Sequence, residues 1–351
     1  MAVALVAPAC ASARGDENAS ADPRAIERVA RFECPAAART AGYERPRPNG
    51  RLRVVTTVAP ITSIVAAVAG DAADVRGLIP EGTDSHTYEP EPSAARLLAT
   101  ADVVFVNGLK LEDPTRDLAA ANVASDAQVV ELGTLALPRA AYLYDVSFPR
   151  AGGKPNPHLW TNPPMAACYA TIAASVLGRA DPANASTYQA NLAGFVAAVD
   201  DLDQRMVAAT ATVPAAQRTL LTYHDAYAYF AAHYGWTVIG AVQVCSFEDP
   251  SPKEVAALIR QIRREKVPAI FGSEVFPSPV LAEIGREADV RYIDTLRDDD
   301  LPGHPGDPAH SYLGLMRSDF VTMVDALGGD ASALEAFAPT GIVPDAAEYP
   351  Q

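Results

Sequence analysis

Arg53-Val54-Val55-Thr56-Thr57-Val58-Ala59-Pro60-Ile61-Thr62-Ser63-Ile64-Val65-Ala66-Ala67-Val68-Ala69-Gly70-Asp71 decides the fold class. The β-branched run 53–57 reads as a short strand. Pro60 then opens an apolar helical run over 61–69 that stops at Gly70. The same alternation recurs downstream. Asp102-Val103-Val104-Phe105-Val106-Asn107-Gly108 reads as a fully buried strand ending in a turn, and Asn162-Pro163 opens a helix to about Gly178. In the second half the strand segments are 219–223, 237–242, 269–273 and 290–293, and the helical ones are 226–233, 251–266, 278–288 and 311–327. Between the halves, residues 181–212 carry Tyr188, Leu192, Phe195, Val199 and Leu202 at helical spacing, a length that suits a connector. Strand–helix repetition on both sides of one long helix predicts an α/β protein of two lobes with mostly parallel sheets.

The expected boundaries follow from this pattern: a leader over 1–50, an N-terminal lobe over 51–180, a connecting helix over 181–213, a C-terminal lobe over 214–330 and a tail over 331–351. The leader is rich in Ala, Pro, Arg and Ser, shows no period, and is read as mostly disordered. Its opening apolar stretch runs into Cys10 and resembles the end of a signal h-region without its positive n-region. Export and a lipid on Cys10 are the expectation. The other cysteines are Cys34, Cys168 and Cys245, none in a CxxC pair, so a structural zinc knuckle is not expected. Cys168, in an apolar helical stretch, reads as a buried thiol, and Cys34 with Cys245 as a pair open to oxidation after export.

At 49% hydrophobic residues the composition is that of a globular protein, and no apolar run reaches the roughly 18 residues of a membrane span. A net charge of −15 opposes nucleic-acid binding, because a phosphate backbone would be repelled. The same acidity suits a cation.

Only six histidines occur, and three of them lie one each in three well-separated loop segments: His86 in Ser85-His86-Thr87-Tyr88-Glu89-Pro90, His158 in Asn156-Pro157-His158-Leu159-Trp160, and His224 in Tyr223-His224-Asp225-Ala226-Tyr227. Imidazole is the commonest protein ligand for borderline first-row metals. Ligands of open α/β sheets gather beyond the carboxyl ends of strands. His224 and Asp225 follow one predicted strand, Asp294 another, and His86 the apolar segment 75–79. All of them thus face one crevice.

These stretches, together with Ile79-Pro80-Glu81-Gly82-Thr83-Asp84 before His86, Val106-Asn107-Gly108-Leu109 and Leu111-Glu112, occur in the order and spacing of a known group. Over residues 52–327 the chain resembles the zinc- and manganese-binding solute-binding proteins of bacterial ABC importers. The resemblance implies an extracytoplasmic, non-enzymatic protein that hands a metal to an ABC permease, working as a monomer with no membrane attachment beyond a lipid on Cys10. It implies four ligands: His86, His158, His224 and an acidic residue placed at Asp294 in Tyr292-Ile293-Asp294-Thr295-Leu296, with Asp298 or Asp299 as the alternatives if the register shifts. Three imidazoles and one carboxylate suit Zn²⁺, with Mn²⁺ as the alternative, in an importer component or an adhesin on the same scaffold. Asp225 is expected to cap the following helix, and His304 and His310 to lie on the surface. The segment 137–156 lacks the histidine-rich insertion of several zinc-specific relatives. A zinc hydrolase using Glu274 as base is the reading from another class, opposed by the closed ligand set and the absence of HExxH.

Overall fold

The computed structural model describes residues 22–41, 50–242, 250–273 and 278–350. Two short helices lead in, α1 (Pro23–Ala30) and α2 (Ala36–Arg39). The first lobe comprises β1 (Leu52–Thr56), α3 (Ala59–Ala69), β2 (Ala73–Gly77), α4 (Pro92–Thr100), β3 (Val103–Val106), α5 (Asp113–Asn122), β4 (Gln128–Glu131), α6 (Leu132–Ala136) and α7 (Pro163–Ala180). Helix α8 (Ala185–Thr212) links it to β5 (Thr219–Thr222), α9 (Ala228–Tyr234), β6 (Thr237–Ala241), α10 (Pro252–Glu265), β7 (Ala269–Ser273), α11 (Pro279–Ala288) and β8 (Arg291–Leu296). Helices α12 (Tyr312–Ala326) and α13 (Ser332–Glu335) close the chain.

Each lobe holds a four-stranded sheet, ordered β2-β1-β3-β4 and β6-β5-β7-β8, with every pairing parallel. The two orders are the same topology repeated. Strand β3 is buried along its whole length, as a strand covered by helices on both faces must be. In both sheets the order reverses beside the first strand, so the crevice for a ligand opens past the ends of β1 and β3 and of β5 and β7.

Helix α8 spans 28 residues and buries Tyr188, Phe195, Val199, Leu202 and Met206 on one side. The side rests mainly on α7, α3 and α12, so one apolar core runs from the first lobe through the connector into the second. A smaller cluster around Leu258, Ile262, Ile270 and Ile284 completes the second lobe. Helix α10 starts as its Ser-Pro sequence predicts. Ser251 accepts from the Glu254 amide while the Glu254 carboxylate reaches back to the Ser251 amide, a reciprocal cap.

Two segments depart from the sequence reading. Residues 22–41 are folded, not a disordered leader: Ala25 and Val29 of α1 are buried against α9, and Ala38 of α2 against α7. Cys34 is joined to Cys168 of α7 by a disulfide, so Cys168 is not a free buried thiol and Cys34 does not pair with Cys245. Cys10 and Cys245 lie outside the described residues. The second departure is the C-terminus, where Glu348 pairs beside β2, its amide donating to Val75 O at 3.0 Å and its carbonyl accepting from Gly77 N at 2.8 Å. His310 is buried here against Tyr349 and is not a surface residue, whereas His304 is exposed. Among the described residues no helix is long and apolar enough to cross a membrane.

Candidate metal site

His86 lies in the loop between β2 and α4. Its amide donates to Asp84 Oδ1 at 2.8 Å, which tightens the turn that presents the ring. His158 is held more elaborately. The chain leaves β3 through Asn107 and Gly108, the latter at φ +76°, a conformation glycine adopts without strain. The buried Glu112 carboxylate fastens this turn by accepting from Asn107 N at 2.6 Å and Thr57 Oγ1 at 2.9 Å. Burial pushes Glu112 up to about 7 even so. Asn107 Nδ2 then donates to Pro157 O at 3.0 Å, setting the segment that carries His158. On the other side Asn156 Oδ1 accepts from His158 Nδ1 at 2.9 Å, which directs the lone pair of Nε2 into the crevice.

His224 follows β5 directly. Its Nδ1 lies 2.5 Å from Asp298 Oδ2, so Nε2 is the nitrogen left for a ligand. Asp225 does not cap α9, which starts only at Ala228. Its Oδ2 instead accepts from Ser147 N at 3.3 Å, and its carbonyl accepts from Asn156 Nδ2 at 2.8 Å.

Donor atoms of His86, His158 and His224 all lie within 4.8 Å of one another, as do those of His158, Asp298 and Asp299. The Nε2 atoms of His86 and His158 approach to 3.0 Å. Asp294 is not part of this group. It sits inside β8, which runs on to Leu296, and its side chain is exposed. A strand interior cannot reach the crevice; the loop after the strand can. That loop is clamped in place: Trp160 Nε1 donates to Asp298 O at 2.8 Å, Tyr227 Oη to Arg297 O at 2.6 Å, and Arg297 N to Asp319 Oδ1 at 3.2 Å. Asp299 faces the histidines, with Oδ2 accepting from Ser85 Oγ at 2.5 Å and Oδ1 buried without a hydrogen-bond partner. Ser85, Asn156 and Trp160 are the supporting residues that sequence reasoning passed over, although each adjoins or lies two residues from a histidine it had singled out. Glu274 lies outside the described residues.

The electrostatics are those of a site built for a cation. Burial holds His86 and His158 well below the ordinary imidazole range, with His224 repelling a proton on either. Burial also opposes charge on His224, but the charge and hydrogen bond of Asp298, aided by Asp299 and Asp84, more than offset it and lift His224 to about 9. Asp299 is pushed up to about 8, by burial and then by its neighbour Asp298. Two adjacent carboxylates in a dry pocket repel each other. A divalent cation would neutralise both, with the three imidazoles neutral, and remove that cost.

Residues 54–326 match the family model described as zinc-uptake complex component A, periplasmic. The chain belongs to this family. Its members are extracytoplasmic substrate-binding components of metal ABC importers, not enzymes, and the fold seen here is theirs. The periplasmic zinc-binding protein TroA from Treponema pallidum superposes with a TM-score of 0.72 at 25% identity, over 80% of this chain and 100% of that one. The iron-binding protein YfeA of Yersinia pestis is 28% identical over 79% of this chain and 87% of its own length. The manganese ABC transporter substrate-binding lipoprotein PsaA of Streptococcus pneumoniae is 24% identical over 82% and 92%. The helices α1, α2 and α13 and Glu348, which pairs beside β2, lie outside the residues matched by the family model.

Proposed function

We propose that this family member captures Zn²⁺ between its lobes and delivers it to an ABC permease, with His86, His158, His224 and Asp299 as ligands. The observation that carries the reading is the gathering of His86, His158 and His224 donor atoms about one point, with Asp298 and Asp299 gathered about the same His158 and Asp299 Oδ1 buried without a hydrogen-bond partner. An N₃O set in a buried pocket suits tetrahedral zinc, while manganese favours more oxygens and higher coordination. Asp298 is read as the residue that orients His224 and not as a direct ligand. The disulfide supports an oxidising compartment, and the −15 charge supports attraction of a cation. The protein would act as a monomer, anchored by a lipid on Cys10.

Manganese is the second reading. It is favoured by the second carboxylate, Asp298, within reach of the same centre, and by the manganese named for PsaA. The test is metal content after purification without chelator, followed by competition titration with both ions. About one zinc per chain, held far more tightly than manganese, is the expected result. Equal competition by manganese would reject zinc. His224→Glu, which replaces a nitrogen with oxygens, is expected to shift preference toward manganese.

A further inference from the structure

The three imidazoles are not equally sheltered. His158 is fully buried, while His224 is slightly exposed and His86 half-buried, and His86 marks one side from which water would reach the donors. One aromatic ring lies on that side. The Phe148 ring is tilted 32° against His86 at a centroid distance of 5.7 Å and stands edge-on to His158 at the same distance. Phe148 is itself partly exposed, so its ring lies at the boundary between the donors and solvent.

Phe148 belongs to a segment with no helix or strand, yet it is fastened at several points. Phe148 N donates to Asp145 Oδ1 at 2.9 Å, and Asp145 N donates to Phe148 O at 3.1 Å, closing a four-residue turn. Asn156 Nδ2, on the residue that orients His158, donates to Asp145 Oδ2 at 2.8 Å. Ser147 N donates to Asp225, next to His224. The ring is therefore tied to the two chain segments that carry His158 and His224, and its position follows theirs.

Resting on the metal-capture reading above, we infer that Phe148 is a specificity-determining cap, an apolar lid that keeps water from adding to the ion. A four-coordinate ion loses nothing to such a lid. An ion that seeks five or six ligands must find its extra oxygens in water, and the ring occupies their approach. The cap thus disfavours manganese relative to zinc without touching any donor atom, and it slows escape of the bound ion.

The experiment compares the full chain with Phe148→Ala and Phe148→Leu, using zinc, manganese and cobalt(II) alone as probes. Melting of the metal-free proteins verifies folding; Phe148→Val replaces the alanine variant should that one be unfolded. The expected result is a zinc-over-manganese preference lowered roughly tenfold in Phe148→Ala, with chelator-driven zinc release faster by a similar factor. Its cobalt complex should lose the intense visible absorption of four-coordination, and Phe148→Leu, still apolar and bulky, should stay near the parent. Parental preference, release rate and cobalt spectrum in the folded small-residue variant would overturn the cap. A parent protein that binds none of the three ions would instead overturn the metal-capture reading beneath it.

Discussion

Asp298 Oδ2 lies 2.5 Å from Nδ1 of His224, and the backbone carbonyl of the same aspartate accepts a hydrogen bond from Trp160, two residues beyond His158. One residue of the second lobe therefore orients one candidate ligand and is joined to the segment that carries another. Its neighbour Asp299 reaches the His86 loop through Ser85. The crevice is closed by contacts that converge on this pair.

The first prediction separates ligand from orienting residue. Asp299→Ala should abolish tight zinc binding, because a tetrahedral set loses its one anionic donor. Asp298→Asn should weaken it about 10–100-fold, the usual cost of losing the partner that fixes a ligating histidine. Asp294→Ala should leave it unchanged. Chelator-competition titration of the three variants decides the order, and a large loss in Asp294→Ala would contradict the assignment.

Proton release is the second. Above about pH 6.5 His86 and His158, both held well below the ordinary imidazole range, carry no proton to displace, whereas His224, lifted to about 9, and Asp299, pushed up to about 8, do. Zinc must expel those protons, so affinity should climb as pH rises from 6.5 toward 9, by about tenfold per unit for each proton expelled. Calorimetry in buffers of different ionisation heat counts the protons. A buffer-independent heat at pH 7 would refute it.

Stability of the metal-free protein should move the other way. Both groups hold protons in the folded state that they would release when unfolded: His224 between about 6.5 and 9, Asp299 between about 4 and 8. Where the folded state binds more protons, raising the pH destabilises it. The metal-free melting temperature should therefore drop from pH 6 to pH 9 while the increment produced by zinc grows. Melting curves with and without zinc across that range test both slopes together.

The fourth prediction concerns the disulfide. Cys34 and Cys168 are 134 residues apart in sequence. Loss of the bond in Cys34→Ser/Cys168→Ser should cost about 2–4 kcal/mol of folding stability. Zinc affinity should stay near the parent value, since neither cysteine adjoins the crevice residues. Denaturant titration and metal competition on the double variant would show whether stability alone responds.

Trp160→Phe supplies the fifth. It keeps the aromatic volume but leaves the Asp298 carbonyl without its donor, a loss of about 1–3 kcal/mol for a buried acceptor. The expected consequence is faster zinc release, read by stopped-flow mixing with a chelator. An unchanged release rate would mean that the Asp298 loop is held by Tyr227 and Asp319 alone.

Local order was legible in the chain. Runs such as 53–57 and 102–108 announce strands because β-branched and apolar residues cluster over a few positions between turn formers, and Tyr188 to Leu202 announce a helix by their spacing. The three histidines were legible for the same reason: each follows a strand or a turn, where a parallel sheet presents side chains to the crevice. Asp294 lies within β8, exposed, and it is the alternatives Asp298 and Asp299 that gather beside His158. Periodicity cannot say that β8 runs on to Leu296, and only that length carries Asp298 and Asp299 past the edge of the sheet.

The sequence by itself determined the two α/β lobes, the connecting helix and the three histidines as candidate donors, because these depend on contacts within a few residues or on residue chemistry alone. Tertiary structure decided the rest. The choice of Asp298 and Asp299 depends on Trp160, Tyr227 and Asp319 holding a loop from more than twenty residues away or from the other lobe. The pairing of Cys34 with Cys168, and the folding of residues 22–41, depend on apolar faces meeting α7 and α9 far along the chain. Such partners are chosen by which surfaces become neighbours on folding, and spacing along a chain carries no record of that.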